Sequence, residues 1–140
     1  MFPIKNFKRF FYKFLKQPSY ALRVAKRRFF IKFFYKFNKT IMPEAITIFL
    51  TYRCNLACKM CGQWGDRGVT KKGGIRNEEL PFETLKNFID QVSFFKPNIT
   101  LFGGEPLLYK DCINLIKYIK EKGLHCLIIT NGSLLEEKII

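Results

Sequence analysis

The sequence predicts an α/β protein: the first half of a partial, TIM-like (β/α) barrel with parallel strands, preceded by basic amphipathic helices. Three observations carry that expectation. Short β-rich runs alternate with helical periodicity from residue 43 onward. The order β-loop-α-β-α-β-α implies parallel strands joined by crossovers. The first 42 residues have a different composition altogether.

Of the 25 Lys and Arg, 12 lie in residues 1–42 together with 10 of the 16 Phe and none of the 11 acids. The net charge of +14 therefore belongs to an N-terminal extension, and residues 43–140 are nearly balanced at +2. The seam falls at Met42-Pro43. With 48% hydrophobic residues the chain is no disordered polyelectrolyte. Within the extension, Ile4, Phe7, Phe10, Phe11 and Phe14 recur at helical spacing among Lys and Arg until Pro18 interrupts them. From Tyr20 to Phe37 the theme repeats, with Leu22, Ala25, Phe29, Phe33 and Phe37 on one broad face. Such basic aromatic helices suit an anionic membrane surface. Packing on other parts of the protein is the alternative. Nucleic acid is the least favoured partner, because no base-reading module accompanies the charge.

No apolar run of signal-peptide length follows the N-terminal charges, and no uncharged stretch of about 18 residues would span a bilayer. The five cysteines are therefore expected in a reducing cytoplasm, with the inner membrane face as the place for the arm. There, clustered cysteines suggest metal before disulfides.

Ala45–Leu50 (AITIFL) is the first strand. A polar, glycine-rich loop follows from Gly62 to Leu80. Pro81 suits a first helical position, and Phe82, Leu85, Phe88, Ile89 and Val92 mark one face of a helix. Asn98–Phe102 is a strand stopped by Gly103-Gly104. Asp111 is the expected N-cap of a helix carrying Leu115, Ile116 and Ile119, with Gly123 as its stop. Leu124–Thr130 is nearly continuous apolar sequence, as a buried parallel strand should be. After Asn131-Gly132, Ser133 and Glu136 match a capping box opening a third helix. Three strands cannot close a barrel, so residues 43–140 are expected to be half of a longer, truncated core.

The chemistry begins with Cys54-Asn55-Leu56-Ala57-Cys58-Lys59-Met60-Cys61, a CxxxCxxC directly after the first strand. Thiolates are natural iron–sulfur ligands, and three of them on one loop can hold a cubane while leaving its fourth iron open. Structural zinc wants four ligands. The single His125 lies in the third strand, and Cys112 and Cys126 stand alone on a helix start and a strand, as ordinary buried thiols do. Ferredoxin-type runs use a shorter first spacing.

Gly103-Gly104-Glu105-Pro106 ends the second strand. Paired glycines admit a ligand close to the backbone. Pro106 biases Glu105 toward an extended conformation that would expose its carbonyl and carboxylate. Both motifs fall at the carboxyl ends of parallel strands, where α/β proteins bind ligands.

With CNLACKMC, GGEP and the weaker Thr130-Asn131-Gly132 in place, residues 45–132 resemble the radical S-adenosylmethionine (SAM) superfamily. The resemblance implies that Cys54, Cys58 and Cys61 bind a [4Fe–4S] cluster whose fourth iron is chelated by the amino and carboxylate groups of SAM. It implies that Gly103, Gly104 and Glu105 contact the methionyl amino group. It places Met60 near the adenine, and Thr130 and Asn131 along the SAM pocket. It further implies an external low-potential electron donor, reductive cleavage of SAM to a 5′-deoxyadenosyl radical, and hydrogen abstraction from an unidentified substrate. The alternative is a non-catalytic metal-binding module with a membrane- or nucleic-acid-binding arm. Two neighbours invite further roles. Trp64 either shields the cluster, meets substrate or packs on the core, and Arg53 either tunes the cluster's electrostatics or is a solvated or phosphate-facing charge.

Overall fold

A computed structural model describes residues 11–12, 14–37, 42–72 and 79–135. The chain divides into two compact units, Met1–Met42 and Pro43–Ile140.

In the first unit, helix α1 spans Pro18–Tyr35, with Pro18 in its opening turn, where its missing N–H is harmless. Residues 11–12 and 14–16 are also helical, and the earlier part of the expected first helix lies outside the described residues. The expectation of a clean two-faced helix is corrected. Basic and apolar side chains interleave around α1 instead of separating. The Leu22–Phe29–Phe33–Phe37 stripe is exposed, while Ala21 is buried and Val24 and Phe34 are half-buried on other sides. Phe37 lies just past the helix end, its ring 5.1 Å from that of Phe33.

The second unit is a three-stranded parallel sheet in the order β1-β2-β3, built from Ala45–Phe49, Asn98–Phe102 and His125–Ile128. The register pairs Ala45 with Asn98 and Phe49 with Phe102, then Asn98 with His125. Sequential neighbours in sequential order are the signature of a singly wound β/α layer. Helix α2 (Phe82–Val92) connects β1 to β2, and α3 (Cys112–Glu121) connects β2 to β3.

One core forms between sheet and helices. Ile99 and Leu101 of β2, Ile89 of α2 and Leu115 and Ile119 of α3 are fully buried. The helical period placed Leu85, Ile89, Leu115 and Ile119 inward as expected. Pro81 precedes α2 as its N-cap, one position earlier than expected. Asp111 occupies the α3 N-cap position, but its carboxylate accepts from the Asn114 side chain, not from a helix amide. Gly123, at φ +68°, ends α3 in the left-handed conformation that favours glycine. The helices are tied outside the core by Tyr118, whose hydroxyl donates to the Asp90 carboxylate at 2.8 Å. Lys122 pairs with the same carboxylate at 2.6 Å. Asp90 is held below the usual carboxylate range, first by Lys122 and then by Tyr118.

β3 departs from expectation. It lies at the sheet's edge, with Leu127 53% and Ile129 49% exposed, so its apolar run does not report burial on both faces. The third helix expected after Ser133 lies outside the described residues, as does Glu136 of its capping box.

Candidate metal and cofactor site

Past the end of β1 the main chain stays against β2. Leu50 N–H donates to Phe102 C=O at 2.8 Å, Gly104 N–H to Thr51 C=O at 2.8 Å, and Glu105 N–H to Arg53 C=O at 2.8 Å. The pairing of the two strands thus continues into the residue before the first cysteine. This close approach requires the glycines. A Cβ on Gly103 would stand 2.6 Å from Thr51 O, and one on Gly104 would stand 2.3 Å from Arg53 O. The side on which a Cβ would stand is occupied by the backbone of residues 51–53, so the glycine pair is first a seat for the cysteine loop.

Glu105 is extended, as the following proline requires, at φ −128° and ψ 107°. Its carboxylate, however, is fully buried, which corrects the expectation that it is presented outward. Oε1 accepts from Leu107 N–H at 3.0 Å and from Thr130 Oγ1 at 2.7 Å, and Oε2 accepts from Asn131 N–H at 2.8 Å. The side chain clamps the end of β2 to the end of β3. Glu105, Thr130 and Asn131 are therefore together in space, as the sequence placed them, but bonded to one another.

The cysteines lie on one loop and none forms a disulfide. Cys58 is exposed, and Cys54 and Cys61 are half-buried. Cys61 N–H bonds Cys58 C=O at 2.9 Å, closing a turn between the last two. Leu56 N–H reaches Cys54 Sγ at 3.5 Å, and the N–H groups of Gln63 and Trp64 reach Cys61 Sγ at 3.4 and 3.5 Å. Those amides, Trp64 first, hold the Cys61 thiol below its ordinary range by favouring the thiolate. Among the described residues no three His, Cys, Asp or Glu converge to hold a single metal ion. A cubane asks instead for thiolates spread over separate irons. Three unpaired thiols on one open loop, two already accepting main-chain N–H bonds, fit that demand. Cys112 and Cys126 do not belong to the set. Burial pushes the Cys112 thiol up to about 11 and raises that of Cys126, so both stay protonated and poor ligands.

Met60, beside Cys61, is 96% exposed at the loop's surface. Trp64 turns back on the loop's base and donates its indole N–H to Tyr52 C=O at 2.7 Å, which ties it to the loop's own backbone. Arg53 is neither free nor aimed at the sulfurs. It pairs with Glu79 at 2.7 Å and donates to Leu108 C=O at 2.6 Å, bracing the loop from outside. Sequence reasoning gave no site role to three residues: Thr51, buried, whose Oγ1 accepts from Arg53 N–H at 3.0 Å, and Asn55 and Ser133, the latter read only as a helix cap, which bond each other at 2.7 Å. Polar residues joined across about eighty positions leave no periodic signal.

A parallel sheet that presents a three-thiol loop and a glycine seat at the carboxyl ends of adjacent strands defines an α/β protein whose candidate site suits a metal cofactor. The chain belongs to the radical SAM superfamily, whose family model matches residues 48–140. That superfamily uses a [4Fe–4S] cluster and SAM. An AdoMet-dependent heme synthase of Methanosarcina barkeri is 37% identical over 102 residues, which is 72% of this chain and 28% of that protein. An Fe-coproporphyrin III synthase of the same organism is 34% identical over 125 residues, 88% of this chain and 30% of the relative. An S-adenosylmethionine-dependent nucleotide dehydratase of Selenomonas ruminantium is 31% identical over 96 residues, 67% of this chain and 32% of the relative. These relatives are enzymes, and the chain spans about three tenths of their length. The crystal structure of Streptococcus suis SuiB bound to S-adenosylmethionine matches with a TM-score of 0.60 at 22% identity. That match covers 87% of this chain and 27% of SuiB, and the likeness is one of fold, in agreement with a partial barrel.

Proposed function

We propose that this chain supplies the cluster-binding part of a radical SAM enzyme, with Cys54, Cys58 and Cys61 as the protein ligands of a [4Fe–4S] cluster. The observation that carries the reading is the seating of the cysteine loop on the Gly103–Gly104 shelf by the bonds from Gly104 and Glu105. This brings the loop and the GGEP segment to one place at the strand ends. When bound, the cluster and SAM supply reductive cleavage of the sulfonium to a 5′-deoxyadenosyl radical, fed by an external low-potential electron donor. The chain's own part is to hold three thiolates in register with the shelf. The backbone of Gly103, Gly104 and Glu105 would face the methionyl end of SAM, because the Glu105 carboxylate is committed internally. Met60, exposed next to Cys61, would cover the adenine, and Thr130 and Asn131 would line the same pocket.

Anaerobic reconstitution tests this. The expected result is about four irons per chain, with a spectral change on adding SAM. Iron that binds but ignores SAM, or stoichiometric zinc in protein purified without oxygen, favours a non-catalytic metal module.

A second reading concerns residues 1–42. The exposed stripe of Leu22, Phe29 and Phe33, at 64%, 70% and 51% exposure, lies in a segment with no acidic residue. No helix among the described residues is long and apolar enough to cross a membrane. We read this arm as lying on an anionic lipid surface, rings in the acyl boundary and cations at the headgroups. Flotation with anionic vesicles should carry the chain up, and zwitterionic vesicles should not. Replacing Phe29 and Phe33 by Ser should abolish flotation. Unchanged flotation removes the arm from that role, and retention on RNA but not on vesicles assigns it to nucleic acid.

A further inference from the structure

The cysteine loop is also joined to the far strand by a ring of side-chain hydrogen bonds that the proposed function does not use. Asn131 Nδ2 donates to Asn55 Oδ1 at 2.9 Å. Asn55 Nδ2 donates to Ser133 Oγ at 2.7 Å. Ser133 Oγ donates to Asn131 Oδ1 at 2.6 Å, and the same oxygen accepts Ser133 N–H at 2.9 Å. Among themselves the three side chains each give one bond and take one, so the ring is closed. It is anchored, because Asn131 N–H is held by the buried Glu105 carboxylate. Asn55 immediately follows Cys54. An asparagine serving only to form a local turn would bond its own neighbouring backbone. Here both polar ends of Asn55 bond the turn after β3, 76 and 78 residues away.

We propose that Asn55 is a positioning residue for the cysteine loop. It fastens the Cys54 end of the loop to the turn after β3, so that the thiols keep their spacing before any metal arrives. Through Asn131 and Glu105 the loop's position is set by three strand ends together. The inference rests on Cys54, Cys58 and Cys61 being cluster ligands, and its test separates the two claims.

The full 140-residue chain is compared with Asn55→Ala, Ser133→Ala and the double variant. In metal-free protein, Cys54 is half-buried, so the rate of its pulsed alkylation by a maleimide, followed by peptide mass spectrometry, reports loop opening. Buried Cys112 reports general unfolding. Each single substitution should speed Cys54 alkylation about five- to tenfold, the equivalent of one or two neutral hydrogen bonds, and leave Cys112 unchanged. The double variant should be no faster than the faster single one, because the ring breaks as a unit. In reconstituted protein, iron loss to a chelator should accelerate by a similar factor while initial loading stays at the wild-type level. Equal Cys54 rates in all four proteins overturn the proposal, and so does a parallel rise at Cys112. If Asn55→Ala does not fold, Ser133→Ala alone gives the same decision. A wild-type chain that takes up no iron yet shows the alkylation pattern refutes the cluster reading and leaves the fastening of the loop established.

Discussion

Glu105 offers the sharpest test of how the strand ends are held. Replacing it with Ala removes the acceptor for Leu107 N–H, Asn131 N–H and the Thr130 hydroxyl at one stroke. A buried donor left without a partner costs about 1–3 kcal/mol. Thr130 and Asn131 are partly open to water, which can replace some of what is lost. The sum is about 3–5 kcal/mol, taking the low end for those two donors. A domain of this size is stable by about 5–15 kcal/mol, so the loss is a large fraction of the whole. Glu105→Gln keeps an oxygen for some of the donors but turns an NH2 toward another. It also relieves the desolvation of a buried charge, so it should cost about half as much, roughly 1–3 kcal/mol. The assay is urea unfolding followed by the fluorescence of Trp64, the sole tryptophan, which lies in the same unit as Glu105. A Glu105→Ala protein within about 0.5 kcal/mol of wild type, the range of a neutral surface change, would refute the clamp.

Four further outcomes are expected. Gly104→Ala sets a Cβ 2.3 Å from Arg53 O, so it should cost about 1–3 kcal/mol or more in thermal unfolding and lower iron loading. Met60→Ala, at a surface position, should leave stability unchanged. In metal-free protein Cys61 should alkylate at a lower pH than an ordinary thiol, because its lowered pKa supplies thiolate earlier as pH rises. Cys112, pushed up to about 11, should stay unreactive through pH 9, and the order of the two pH profiles by mass spectrometry is the check. Arg53→Ala breaks a partly exposed pair with Glu79 as well as the bond to Leu108. It should cost about 1 kcal/mol, read by the same urea titration, with the ion-pair share falling as salt is added.

Much of this architecture was legible in the sequence because it depends on local repetition. Phe82, Leu85, Ile89 and Val92 declare a helical face whatever they pack against, and AITIF and NITLF declare strands by composition. The cysteine spacing and GGEP marked two segments that meet, since both follow parallel strands. Sequence could not show what fills a space. The glycines were read for a ligand's approach, yet the side a Cβ would take is filled by Thr51–Arg53, which approach through main-chain atoms common to every residue. Glu105 was expected outside because carboxylates usually are. Its burial depends on donors at Leu107, Thr130 and Asn131, most of them brought in by the next strand. In α1, the periodicity of Leu22, Phe29 and Phe33 was real, yet Val24 and Ile31 lie off that stripe, which blurs the two faces.

The position of β3 has a practical consequence. Among the described residues β3 has a partner strand on one side only, and Leu127 and Ile129 are exposed beside it. Such a margin is a template for any extended segment that meets it. Purified protein should therefore grow stickier with concentration, and dilute samples, mild chaotropes or a lysine placed at Leu127 are the first remedies for precipitation during handling.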